Sequence, residues 1–130
     1  MTILGIGVDL VHIPRIVALV RRRGTHRFIT RILSPVELSH WQSLSEDSAA
    51  IERFRFLAVR WCVKEAAYKA MYPTFQPTWK ELSYVNTISS QKPSLLYHPL
   101  KTESPEPLSN IHVSVSHDGD YVFASVLIEV

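Results

Sequence analysis

The 130-residue chain has a single cysteine, Cys62, so no disulfide can form within it. Such a chain suits a reducing compartment. Cys62 lies in an apolar helical stretch, the setting of a packing residue rather than a nucleophile. No Cys/His spacing of the metal-binding kind occurs. No apolar run approaches the ~20 residues that span a bilayer, so no membrane role is expected. Met1-Thr2 runs straight into an apparent strand, and no secretory signal is expected. A glycine-rich loop of the Walker kind and a dinucleotide fingerprint are both missing, which sets aside P-loop and Rossmann chemistry. Acidic residues are missing from Leu10 to Val36, where Arg15, Arg21, Arg22, Arg23, Arg27 and Arg31 all fall. Such a block is either a solvated face or a surface for an acidic partner. Its composition is also that of a mitochondrial transit peptide, but it starts inside the apparent fold.

What is present is ordinary for a globular protein: 46% hydrophobic and 20% charged residues, with net charge +2. The length suits one domain over residues 1–130. "ILGIGV" (3–8) reads as a strand with Leu4, Ile6 and Val8 on one face and Gly5, Gly7 and Asp9 on the other. The apolar face should pack on a core, and the glycine face invites another backbone or a ligand. A helix begins near Pro14 and stops near Gly24. "SPVE" starts a second, with Ser34 as cap, Pro35 in the first turn and Glu37 closing a capping box. The third and longest runs from about Asp47 to Tyr72, where Pro73 ends it.

A short helical turn is expected from Thr78, followed by strands in "LSYVNTI" and "SLLYH" that join near Gln91-Lys92-Pro93. "PLKTESPEPLSN" reads as a surface loop. "IHVSVSH" alternates as a strand, "DGD" supplies a turn, and "YVFASVLIEV" returns. Strand, helices, then strands describe an α+β domain.

Three polar residues look out of place. Glu65 lies four before Lys69, the spacing of an ordinary helix ion pair, yet Trp61, Cys62, Val63, Ala66 and Ala67 surround it. A partly buried carboxylate needs strong partners. Asp9 ends the glycine face, where it could cap a turn or meet a ligand. His117 ends a strand at the core-side parity beside the Asp118-Gly119 turn. Asp9 and Glu65 could share a hard cation such as Mg²⁺, which takes one or two carboxylates with waters and phosphate oxygens. Arg60, Lys64 and Lys69 would then neutralise phosphate charge.

"GIGVDL" (5–10), "RWCVKEAAYKA" (60–70) and "VSVSHDGDYVFASV" (113–126) resemble, in order and spacing, the three motifs of the short holo-acyl-carrier-protein synthase type of 4′-phosphopantetheinyl transferases. The resemblance implies one long central helix packed on a small, mainly antiparallel sheet. It implies transfer of the phosphopantetheine arm of coenzyme A to a serine of an apo acyl carrier protein, with adenosine 3′,5′-bisphosphate as the other product. Asp9 and Glu65 then match Mg²⁺ ligands, and Lys69 a lysine at the pyrophosphate. His117, Arg60 and Lys64 match contacts to coenzyme A. Arg15 and the basic stretch with Arg22 and Arg27 match the surface that docks the acidic carrier protein. A chain of this size implies a homotrimer whose sites lie between subunits, with Asp9, Glu65 and His117 lining a shared cleft and the Gly5/Gly7 face packed there.

The chain departs from many bacterial relatives after the long helix, where "MYPTFQPTWKEL" (71–82) replaces a glycine-rich turn. That difference leans toward a fungal mitochondrial relative, with a bacterial cytoplasmic one as the alternative. A nucleic-acid-binding module would explain the arginines but not Asp9, Glu65 and His117, and it would want more aromatics among the bases than Phe28. A Mg²⁺-dependent phosphohydrolase would want more carboxylates.

Overall fold

The structure is a computed structural model that describes residues 2–44, 50–86, 92–100 and 110–130. Strand β1 (Ile3–His12) leads into helices α1 (Ile13–Arg23), α2 (Thr25–Ile32), α3 (Pro35–Ser43) and α4 (Ala50–Met71). A 3-10 turn at Trp79–Glu81 precedes β2 (Leu82–Val85) and β3 (Ser94–Tyr97), and β4 (Asn110–Asp118) and β5 (Tyr121–Glu129) close the chain. The long helix α4 lies on an antiparallel sheet of order β1-β5-β4, while β2 and β3 form a separate antiparallel pair. This is the α+β arrangement expected.

Local sequence explains most element boundaries. Gly24 stops α1 at φ 90°, a conformation that suits glycine. Ser34 and Glu37 form the reciprocal capping box that starts α3. Gly119, at φ 56°, makes the tight turn joining β4 and β5. The Thr78 turn is present, capped by Glu81. The expected helix start at Asp47, the Gln91 junction and the loop from 101 to 109 lie outside the described residues.

Two expectations fail. Among the described residues there are four helices, not three: Gly24 ends α1 and at once precedes α2, which has no side-chain cap to announce it. Its signal was the apolar spacing of Phe28, Ile29 and Ile32, all buried. The second failure is the sense of β1. Ile6, Val8 and Leu10 are 61%, 47% and 61% exposed, and the glycine face is the one turned to the core. A Cβ at Gly5 would strike the Ala70 carbonyl, and one at Gly7 the Ala66 carbonyl. The glycines therefore let α4 of the same chain approach β1, and they are not free for a neighbouring subunit. Val122, Ala124 and Val126 of β5 complete the surface under α4, against Leu57, Val63 and Ala67 within one core cluster.

Candidate active site

The close approach of α4 to β1 creates the site. Asp9 follows Gly7 by two residues and so points to the α4 side of the sheet. There Lys69 Nζ donates to the Val8 carbonyl at 2.9 Å and to Asp9 Oδ1 at 3.3 Å. Among the described residues Lys69 is ion-paired to Asp9 and not to Glu65, so the ordinary helix pair suggested by the four-residue spacing is not what forms. An ammonium has three donors, and Lys69, half exposed, has one left over.

Glu65 is half-buried beside this pair. Burial pushes its carboxyl above the ordinary range, and the like charge of Asp9 pushes it further. Lys69 and then Arg15 pull it back. Arg15 is thus electrostatically part of the cluster, which its place in a basic block did not reveal. Two carboxylates that repel each other at an open surface fit a hard cation completed by water and ligand oxygens. Among the described residues no group of three or more His, Cys, Asp or Glu converges as a protein cage. Cys62 lies behind Asp9, its Sγ 3.2 Å from the Asp9 carbonyl. Burial and Asp9 raise its thiol to about 12, so it stays protonated as packing.

Lys64, the neighbour of Glu65, departs from expectation. It is 2% exposed. Its ammonium donates to Ile32 O at 2.7 Å, to Trp79 O at 2.9 Å and to Glu37 Oε1. All three donors are used, so none remains for coenzyme A. Sequence reasoning saw Glu37 as a cap alone. Here the fully buried Glu37 also accepts from Tyr84 N at 2.9 Å and lies 3.9 Å from Arg60 Nε. Burial lowers Lys64, and Glu37 offsets this. Arg60 donates to Tyr84 O and packs over the Phe56 ring at 3.7 Å.

His117 is not beside Glu65. It projects at the far end of β4 and lines a cleft of about 500 Å³ with Arg60, Phe56, Tyr84 and Val115. A separate cavity of about 380 Å³ lies against Glu65, walled by Tyr68, Pro77, Trp79 and Leu82. The basic stretch also divides. Arg15 and Arg22 are exposed on α1. Arg27 joins Arg23 and Arg31 around a third cavity, also about 380 Å³, floored by Trp61 and Trp79. No helix among the described residues is long and apolar enough to cross a membrane.

An α+β domain whose long helix sets paired carboxylates and a lysine against a strand end describes a phosphate-handling class. Residues 5–126 match the 4′-phosphopantetheinyl transferase superfamily, and the chain belongs to that family. It is 36% identical over 131 residues to a Koribacter versatilis holo-[acyl-carrier-protein] synthase, covering 98% of both chains. It is 35% identical over 129 residues to a Schizosaccharomyces pombe protein provisionally named as the same synthase, covering 95% and 94%. Among solved structures it resembles the Chronobacterium ammoniagenes ACPS–coenzyme A complex, with TM-score 0.74 and 28% identity over 98% and 97% of the two chains.

Proposed function

We propose that this protein is a Mg²⁺-dependent holo-[acyl-carrier-protein] synthase that moves 4′-phosphopantetheine from coenzyme A to a serine of an apo acyl carrier protein. The observation that carries this reading is the meeting of Asp9, Glu65 and Lys69, two motifs of that family brought together from positions some sixty residues apart. The serine oxygen bonds to the β-phosphorus, the bond to the bridging oxygen breaks, and adenosine 3′,5′-bisphosphate leaves with that oxygen. Lys69 offers its free donor to the pyrophosphate. The serine proton passes to Glu65 or to a water held beside Asp9. Asp9 and Glu65 are the residues that hold Mg²⁺, which when bound supplies charge neutralisation at the pyrophosphate. Positioning and charge make up the rest of the catalysis.

The decisive assay incubates the protein with coenzyme A, Mg²⁺ and an apo carrier protein and weighs the carrier. One phosphopantetheine is gained per carrier if the reading holds, and no gain across several carriers sinks it. Glu65→Gln is expected to lower turnover by about 10²-fold or more.

The carrier docks through Arg15, Arg22 and Arg27, against an acidic helix of the partner. Arg27→Glu should raise KM for the carrier with a steep dependence on salt and little change in KM for coenzyme A. We assign a homotrimer on the open sheet face, where Ile6, Val8, Leu10 and Phe123 (43% exposed) stand together. A patch of this kind marks an interface. The Glu65 side of one copy then meets the His117–Arg60 cleft of the next, completing the coenzyme A site. Sedimentation should give three times the 14.9 kDa chain mass. Mixing inactive Asp9→Asn with impaired His117→Ala should restore part of the activity if sites are shared. The compartment we assign is the mitochondrion, on the departure at 71–82; fractionation of cells that express the tagged chain tests it.

A further inference from the structure

The cavity beneath the basic stretch joins two kinds of surface. Arg23 ends α1, and Arg27 and Arg31 lie four apart on α2, so those two share a face. All three line a cavity of about 380 Å³. All are exposed, and among the described residues none of them is ion-paired. Like charges gathered at a concave surface focus a positive potential there. The floor is apolar. The buried Phe28 ring stacks with Trp61 at 5.9 Å between centroids. Trp79 meets Trp61 at 4.8 Å, with the ring planes inclined by 37°. Both tryptophans stay half-buried, so a large apolar area is left open beside three uncommitted guanidiniums. Neither Asp9, Glu65 nor Lys69 lines this cavity, which sets it apart from the phosphate site.

We propose that this cavity binds a single-chain amphiphilic anion, a fatty carboxylate, and that the bound acid competes with the carrier protein. A guanidinium takes a carboxylate through two parallel hydrogen bonds, which gives the head group its partner. The volume lies near the lower end of the about 300–1,000 Å³ usual for small-molecule sites, which admits one chain and not the two of a membrane lipid. An inorganic anion would leave the ring faces wet, and a neutral apolar molecule would leave the arginines unused. Because the two indole planes are inclined, a flexible chain can lie against both, whereas a rigid flat ring stacks on only one. Arg27 also belongs to the surface assigned to carrier docking, so an occupied cavity removes part of that surface. The site stands on the cavity itself, and its competition with the carrier rests on the transferase reading. Hydrolysis of an acyl thioester on a carrier is the class of reaction that yields such an acid. Accumulated free acid would then slow the loading of further carrier.

The test is calorimetric titration of the full chain with decanoate below its micelle concentration, beside acetate and decanol. Variants are Trp79→Leu and the double Arg23→Gln with Arg31→Gln, whose exposed side chains can be changed without disturbing the fold. Decanoate should bind saturably. The arginine double should lose about 10- to 100-fold in affinity and Trp79→Leu about 5-fold or more, with acetate and decanol each far weaker than decanoate. In transfer assays decanoate should raise KM for the carrier and leave KM for coenzyme A unchanged, and the arginine double should resist it. Acetate or decanol binding as well as decanoate, undiminished decanoate binding in the arginine double, or no saturable binding overturns the site. Association with anionic vesicles without binding of free decanoate makes the patch a membrane surface and overturns it too. Saturable binding with no effect on KM for the carrier overturns the competition alone. A parent protein that binds decanoate but transfers nothing overturns the transferase reading and leaves the site standing.

Discussion

Lys64 and Glu65 are adjacent in the chain and opposite in circumstance. Lys64 is sealed in the core with every donor satisfied by Glu37, Ile32 and Trp79. Glu65 looks outward, beside a like charge and a lysine committed elsewhere. A helix that is apolar on most sides can turn successive residues into different regions, so one motif serves both the scaffold and the chemistry. Satisfied charge at the first cluster holds α3, α4 and β2 together, whereas unsatisfied charge at the second is what a metal and a phosphate require. The saturated cluster should fail in stability when broken, and the unsaturated one in activity.

The largest effect is expected from Glu37→Ala, which strands Lys64 in the core. Stability should fall by about 3–5 kcal/mol, with a drop in Tm on the order of 10 °C or more by calorimetry. Replacing both charges, as Glu37→Leu with Lys64→Met, should recover most of that loss, because the penalty comes from an unpaired buried charge. A double variant as unstable as the single would mean that the backbone contacts, not the ion pair, dominate. Next comes Gly7→Ala, which forces β1 off α4. It should lower the urea midpoint by the equivalent of about 2 kcal/mol and weaken turnover as well, since Asp9 moves with the strand.

The smallest effect is the most discriminating. The folded-state value of Glu65 is raised, so between the ordinary carboxylate value and that raised value the native state binds more protons than the unfolded chain. Stability from this group is therefore greatest in acid and declines as pH rises through that window. Without divalent cation, Glu65→Gln should remove this decline and slightly raise the urea midpoint near neutral pH, and with Mg²⁺ present the same variant should lose activity. Urea unfolding at several pH values reads the difference. A destabilised Glu65→Gln would mean that this carboxylate belongs with Glu37 as a structural group.

Much of the fold was legible because the signals are local. Ser34 with Glu37, Gly24 and Gly119 each act within a few residues, and the strands betray themselves by alternation. Helix α2 was missed because no capping side chain marks its start. The inner face of β1 was misassigned because hydropathy favours Ile6 and Val8, while glycine leaves no apolar signal even when it is the residue that must be inside. In the site, Asp9, Glu65 and Lys69 stood out by residue type. The partners of Lys64 and Lys69 did not, since Glu37 and Asp9 lie 27 and 60 residues away and no spacing rule reaches that far.

By itself the sequence determined the α+β order, the capped and glycine-ended helices, and the set of carboxylates, lysines and histidine from which a phosphate site is built. Tertiary structure decided which of those charges are free. That is a matter of distance and desolvation: a Lys–Glu pair in the core has no donor to spare because it is fully hydrogen-bonded, and Asp9 comes to lie beside Glu65 and Lys69 because α4 crosses β1 where only glycine allows contact. Neither condition can be expressed in the order of residues until the strand and the helix have met.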